Sequence, residues 1–352
     1  MPPRPPLTEP RHHRRVTLAD VARAAAVSSA TASRALADDA RISLTTRGRV
    51  RAAADGLGYV PNAAARSLRA RATRTLGLLL AELDDPVHAQ VAAGFEQEAG
   101  ARGYTVLIIT GMTEPAHERR ALKVFVEHQT DGIALVSTIL APAEVMSFAR
   151  PDRVVFVQAD HPSLAGYRLD PPTGSIRAGE VEGIEEAVRY LVASGYRQFA
   201  YLGTGATATN LTRRAAVERA MRAAGVRRPL RRFAVGARGW RSGDAIAQRI
   251  ARSRPEVLIC YDDKLALAVM DGLRAQGVDV PGDVAIIGFD GIPFAALSNP
   301  RLSTIASPSL EMGRRAAQML VASIESGSLP SSIVLPVQLL IRDSSPPRRV
   351  AA

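Results

Sequence analysis

From Thr75 onward, short apolar runs alternate with helix-length amphipathic stretches, and this rhythm constrains the fold more than any other feature of the chain. TLGLLLAEL is followed by VHAQVAAGFEQEAGARG, then YTVLIIT, a helical pattern around 115 to 128, GIALVST and RVVFVQAD. A second set runs EVEGIEEAVRYLVASG, FAYLG, TRRAAVERAMRAAG, RRFAVG, VLICYD, a helix at 263 to 276, and VAIIGFD. Strand and helix in strict alternation build parallel sheets covered on both faces. Two such sets predict two doubly wound α/β lobes, with ligands bound where the strands end.

The first fifth of the chain differs in charge. Residues 1 to 75 hold 14 arginines against 5 carboxylates, and the remaining residues hold 31 Lys or Arg against 29, so most of the net charge of +11 sits at one end. A small basic module joined to a near-neutral large one points to a polyanionic partner for the module. The single cysteine, Cys260, excludes a disulfide framework and is read as buried packing. No apolar run approaches the roughly 20 residues of a membrane span. MPPRPPLTEPRHHRR lacks the apolar segment of a secretory signal and is read as a disordered basic arm. A reducing, cytoplasmic location is the expectation.

Within the basic module, Thr17 and Asp20 fit a capping box opening a short helix over 18 to 25. Ser28 caps a second helix with Ala32 and Leu36 inward and Ser29, Ala30, Ser33, Arg34 and Ala37 outward. A third starts at the Ser43 cap, burying Val50, Ala53, Ala54 and Leu57, with Arg47, Arg49 and Arg51 outside and Gly56-Leu-Gly58 at its end. Two short helices joined by a tight turn, with a third beneath, describe a helix-turn-helix. Its second helix enters a groove about 12 Å wide, which requires short side chains facing the walls. Arg34 suits guanine O6 and N7, Ser29 can donate or accept, and Ala30 or Ala37 can meet a thymine methyl.

At these residues the chain resembles the LacI/GalR family of bacterial regulators. The match runs without a gap through VTLADVARAAAVSSATASRALADDARISLTTRGRVRAAADGLGYVPNAAARSLRARATRTLGLLL and continues more weakly through nearly all the rest. The resemblance implies operator reading by Ser29, Ala30 and Arg34, within a DNA-contacting set that also holds Thr17, Ser28, Thr31, Ser33, Arg41, Asn62 and Leu68. It implies that Asn62 to Arg69 is a hinge that becomes helical on DNA, with Leu68 as a minor-groove wedge that bends the duplex. The residues agree: Ala63, Ala64 and Ala65 favour helix but supply no core stripe, so folding there needs a partner. One departure is Ala26, which stands where the family has a turn glycine.

The resemblance further implies a periplasmic-binding-protein-like core whose chain crosses between lobes near 174, 307 and 336. The expected layout is a basic arm at 1–15, a helix-turn-helix domain at 16–61 and a hinge at 62–75. An effector and dimerisation core follows at 76–343, with lobe 1 at about 76–174 and 308–335 and lobe 2 at about 175–306 and 336–343. A disordered tail at 344–352 closes the chain.

Asp290 matches the family aspartate that accepts from effector hydroxyls, and Asp262 stands where the family has asparagine. Arg213 aligns with a family arginine, although Ala216 and Val217 replace the glycine and aromatic that follow it. Trp240 falls where some members stack an aromatic on a sugar, with core packing as its alternative. Asp84, Asp85, Val87 and His88 occupy the family's S-N-P-F-F segment; His88 either bonds a ligand hydroxyl or only packs. Gln158 and Ala159, and Glu180 to Glu182, depart from the family's V-D-R and D-N motifs. The expected effector is therefore sugar-like, with a polyol or an amine-bearing ligand favoured by the acidic set.

Enzyme readings find no support. Gly203 to Ala208 fits G-x-G-x-x-A formally, but no acidic residue ends the next strand. Asp263 is read as the cap of the helix that follows it. No cofactor and no metal is expected, nor a membrane partner. The expected protein is a homodimeric repressor on a palindromic operator, controlled by a small effector. The alternatives are a nonspecific nucleoid-type DNA binder with a ligand-binding core, and a sugar-processing enzyme.

Overall fold

The computed structural model describes residues 16–60, 72–159, 174–205, 207–236 and 243–348, apart from the side chains of 243 and 244. The chain separates into two compact units, Met1–Thr73 and Arg74–Ala352.

The first unit contains α1 (Leu18–Ala24), α2 (Ser29–Leu36) and α3 (Leu44–Leu57). Val21, Ala22 and Ala25 meet Ala32, Ala35, Val50 and Ala54 in one small core. On α2 the deepest positions are Ala32 and Ala35, while Leu36 is only partly buried. Leu57 differs from expectation: it is 39% exposed. Its turn lies beside the Gly58 C-cap, which takes φ 64 and lets the chain reverse without strain.

The second unit begins at β1 (Thr75–Leu80) and continues α4 (Pro86–Ala101), β2 (Thr105–Thr110), α5 (Pro115–Glu127), β3 (Gly132–Val136), α6 (Pro142–Val145), β4 (Val154–Val157) and β5 (Gly174–Ala178). It then runs α7 (Glu180–Ala193), β6 (Phe199–Thr204), α8 (Ala208–Ala223), β7 (Arg231–Val235), α9 (Gly243–Ser253), β8 (Val257–Cys260), α10 (Asp263–Ala275), β9 (Ala285–Asp290) and α11 (Pro293–Leu297). The last elements are β10 (Ser303–Ala306), α12 (Ser309–Ser326), β11 (Ile333–Leu335) and β12 (Gln338–Leu340).

Two six-stranded sheets result, ordered β11-β5-β4-β3-β1-β2 and β12-β10-β9-β8-β6-β7. Among the described strands, only β12 runs antiparallel to its neighbour. The near-continuous apolar strands, such as β3 and β4 with every residue buried, fit sheets covered on both faces. Because β5 pairs with β4 and β11, the first crossing falls at about residue 179 rather than 174. The other two fall at 307–308, between β10 and α12, and at 336–337, between β11 and β12. β1 starts at Thr75, one residue earlier than the linker reading places it.

In the first lobe, α4 and α12 cross in close contact. A Cβ on Gly94 would lie 2.0 Å from the Leu310 carbonyl oxygen, and one on Gly313 would lie 2.0 Å from that of Val91. Glycine on both helices lets backbone meet backbone, which brings the start of α12 against the middle of α4.

The tail reading is corrected for residues 344 to 348. Ser344 and Ser345 are fully buried. The Ser344 hydroxyl donates to the Ile286 carbonyl at 2.6 Å and accepts from the Ser303 amide at 2.8 Å. Tyr190 and Tyr196 donate to the carbonyls of Ser345 and Pro346, and Arg348 pairs with Glu256 at 2.8 Å. The segment is held because its carbonyls and the Ser344 hydroxyl find partners inside the fold, whereas the Ser345 hydroxyl has none among the described residues. Residues 349–352 lie outside the described residues.

Candidate functional site

The second helix of the first unit presents a polar face whose residues divide into two groups. Thr17 and Asp20 form the expected capping box: the Thr17 amide donates to Asp20 at 3.0 Å, and the Thr17 hydroxyl accepts from the Asp20 amide. Ser28 caps α2 by accepting from the Thr31 amide at 3.1 Å, and its hydroxyl lies 2.9 Å from that of Thr31. These hydroxyls hold the helix start. Ser29, Ala30 and Arg34 are exposed, and Ser33 is half-buried. The short outward face that groove entry requires is therefore present at the residues that carry the resemblance.

Several basic residues of this unit are held by carboxylates. Arg41 donates from Nε and Nη2 to Asp39, and this pair holds the Asp39 carboxyl well below the usual range. Arg47 lies 3.7 Å from Asp38 with a side chain 21% exposed, and Arg51 contacts the same carboxylate. Arg49 is exposed. Ala26 has φ 50, the left-handed conformation that its alanine makes costly. Asn62 and Leu68 lie outside the described residues.

Between the lobes of the second unit is a cavity of about 590 Å³, within the range of small-molecule sites. Its walls are strand ends and helix starts from both lobes, because parallel strands present their carboxyl ends to one side. Asp85, Val87 and His88 line it from the start of α4, and Arg213, Asp262 and Asp290 line it from the second lobe. Asp84 is exposed and is not among the lining residues, so its expected place in the site is corrected: the turn into α4 aims Asp85 inward instead. Trp240 lies outside the described residues.

Asp85 caps α4, accepting from the Val87 amide at 2.8 Å, and ion-pairs with Lys264 of the second lobe. Burial pushes the Asp85 carboxyl up, but His88 and Lys264 outweigh it and leave Asp85 below the ordinary range. Lys264 escaped the sequence reading, since a lysine in the first turn of a helix gives no sign of a partner in the other lobe. His88 is buried, with Nδ1 2.9 Å from the Glu82 carbonyl oxygen and Nε2 3.1 Å from the Ser137 hydroxyl. Nδ1 also lies 3.2 Å from the Glu82 amide nitrogen, and together these partners fix the ring.

Arg213 is 5% exposed and heavily engaged. Its Nη2 donates to Glu180 Oε1 at 2.9 Å, its Nη1 to the Tyr261 carbonyl, and its guanidinium carbon lies 3.6 Å from the Phe289 ring centroid. Burial pulls its pKa down, but Glu180 and Asp290 raise it overall, so it stays charged. Gln158 donates to the same Glu180 oxygen at 3.1 Å and accepts from the Ala178 amide at 2.7 Å. The departures at 158 and 180 thus act together: Glu180 binds both Gln158 and Arg213.

Asp290 ends β9 at φ 104, a backbone conformation costly for any residue with a Cβ. Burial pushes its carboxyl well above the usual value despite Arg213, with Asp262, Asp263 and Asp85 adding to the rise. The capping assignment at α10 is corrected. Asp262, not Asp263, is the N-cap, accepting from the Leu265 amide at 2.7 Å. Asp263 is fully buried and accepts from the Ile292 amide at 2.9 Å; burial raises it to about 7.

Among the described residues no helix is long and apolar enough to cross a membrane, and no cluster of three or more His, Cys, Asp or Glu could hold a metal ion.

Residues 17–62 match the model for bacterial regulatory proteins of the lacI family, and residues 188–345 match a periplasmic binding protein-like domain. The HTH-type transcriptional regulator DegA of Bacillus subtilis (strain 168) is 29% identical over 349 residues, covering 95% of this chain and 99% of the relative. The HTH-type transcriptional repressor CytR of Escherichia coli (strain K12) is 28% identical, covering 94% and 96%. Among solved structures, the lac repressor dimer bound to operator and the anti-inducer ONPF is similar in fold, with TM-score 0.83 at 22% identity over 94% of this chain and 99% of that one. The transcriptional regulator CelR in complex with cellobiose has TM-score 0.66 at 25% identity, covering 94% and 100%.

Proposed function

The chain belongs to the LacI family of bacterial regulatory proteins, with a periplasmic-binding-protein-like effector domain, and from that premise we propose that it is a repressor that binds a palindromic operator as a dimer under the control of a sugar-like metabolite. As a DNA-binding transcription regulator it is not an enzyme.

One observation carries the reading: the same chain holds a helix whose exposed face is Ser29, Ala30 and Arg34 and a two-lobed core enclosing a cavity of ligand size. In this reading Arg34 and Ser29 contact base edges, Ala30 meets a thymine methyl, and Asn62 to Arg69 order on DNA with Leu68 in the minor groove. Dimeric operator binding is supported by the lac repressor dimer whose fold this chain shares, and a sugar-like effector by the cellobiose complex of CelR. Asp85, Val87, His88, Arg213, Asp262 and Asp290 contact the effector. Lobe closure then changes the dimer and hinge, coupling effector and DNA affinities reciprocally. A cytoplasmic location follows from the same family reading.

Selection of bound duplexes from a random-sequence library by the full-length chain tests this. The expected result is one enriched palindrome with half-sites about one helical turn apart. Enrichment of no sequence contradicts the reading and favours loose, backbone-only binding.

A further inference from the structure

Carboxyl groups outnumber cations in the lining of the cavity between the lobes. Glu82, Asp85, Glu114, Asp262 and Asp290 line it, against Arg213 and Lys264. Both cations are already engaged. Lys264 pairs with Asp85, and Arg213 is bonded at 2.9 Å to Glu180. Asp290 has that same Arg213 at 3.7 Å, beyond hydrogen-bond reach. Asp262 has one oxygen on the Leu265 amide. Burial raises both carboxyls, and Asp262 adds to the rise at Asp290, so the protein supplies no full counter-charge for the pair.

A second observation points the same way. Ser307 and Ser309 are among the lining residues, and the buried hydroxyl of each has no hydrogen-bond partner among the described residues. Buried polar groups of this kind are satisfied by a ligand or by water. A neutral sugar would satisfy these hydroxyls but offer no cation to the two buried carboxyls. A ligand carrying both hydroxyls and an ammonium group would satisfy both.

We propose, building on the cleft-effector reading above, that the effector is a hydroxylated primary amine, an amino sugar or amino polyol, whose ammonium is held by Asp262 and Asp290 and whose hydroxyls reach Ser307 and Ser309. Aspartate at 262, in place of the asparagine of the family pattern, supplies the added charge. A cation bound beside these carboxyls favours their charged form and opposes the rise that burial imposes. Amine affinity therefore rises with pH until the amine itself loses its charge.

Calorimetric titration of the full-length chain with three matched pairs tests the proposal: D-glucosamine against D-glucose, D-galactosamine against D-galactose, and 1-amino-1-deoxy-D-sorbitol against D-sorbitol. The expected result is that at least one amine binds about tenfold or more tighter than its neutral partner, the discrimination of a charge-assisted hydrogen bond. That preference should grow as pH rises through the acid range. Asp262→Asn retains the helix cap, because asparagine caps as well as aspartate, and should reduce the amine-to-neutral ratio about tenfold. Binding of a neutral member as tightly as its amine, binding by none of the three amines, or a ratio unchanged in both Asp262→Asn and Asp290→Asn overturns the proposal. The first of these leaves the cleft-effector reading standing; that reading fails if no small metabolite changes operator affinity.

Discussion

Asp85 and Lys264, 179 residues apart in sequence, form an ion pair across the cleft between the two lobes. Asp85 also caps α4, and Lys264 lies in the first turn of α10 beside the Asp262 cap. One contact thus joins the helix starts that face the cavity from either side.

Asp85→Asn leaves Lys264, 21% exposed, without its counter-ion and should destabilise the second unit by about 1–3 kcal/mol. The Asp85 carboxyl is depressed, so its contribution is present above the ordinary carboxylate pKa of about 3.9 and is lost as pH falls through the depressed value. Lys264 is raised, so its contribution is present below about 10.4 and is lost as pH rises through the raised value. Urea unfolding of the wild type, Asp85→Asn, Lys264→Met and the double variant checks this. A coupling energy near zero at pH 7 would show that the pair does not stabilise the fold.

Ala26 stands in the left-handed region at φ 50. Glycine there relieves about 1–2 kcal/mol of backbone strain and costs about 0.4–1 kcal/mol in unfolded-state entropy. Ala26→Gly should therefore stabilise the first unit by a few tenths to about 1 kcal/mol, measured by amide exchange over α1 to α3 in the full-length protein. A loss of protection would mean that the turn is not strained.

Arg34→Ala should cost about 1–3 kcal/mol in operator binding and relax preference at one base pair. Arg49→Ala should weaken binding to all sequences alike and lower the salt slope by about one. Arg49 is a better phosphate probe than Arg47, since Arg47 is packed near Asp38 and its loss would also disturb the fold. Competition binding at several salt concentrations separates the two effects. Equal, sequence-independent losses in both variants would displace α2 from the major groove.

Asp263, buried and raised to about 7, holds a proton in the folded state that the unfolded chain releases near 3.9. Folding stability therefore declines as pH rises from about 4 to about 7, by up to about 1.4 kcal/mol per pH unit, and levels above. Asp263→Asn should remove this part of the slope. Unfolding free energies at half-unit pH intervals test it, and a slope matching the wild type would assign the proton elsewhere.

Local signals were legible in the sequence and nonlocal ones were not. Thr17, Ser28 and Ser43 cap their helices as their spacing indicates, because a cap needs only the three residues that follow it. The strand–helix rhythm gave both sheets, since parallel strands buried on two faces need continuous apolar runs. At Asp262-Asp263 both residues are acidic and either fits a cap; which one turns inward depends on the Ile292 amide, 29 residues away. The order of residues 344 to 348 rests on Ile286, Tyr190 and Tyr196, which a Ser- and Pro-rich composition does not announce. Lys264 has the same character: its partner lies in the other lobe.

The most direct measurement is fluorescence anisotropy of the full-length chain on the selected palindrome and on a shuffled duplex of equal length, at one near-physiological salt concentration. The account predicts at least about a thousandfold tighter binding to the palindrome, with most of that ratio lost when one half-site is scrambled. Equal affinity for both duplexes, falling steeply with salt, would contradict it.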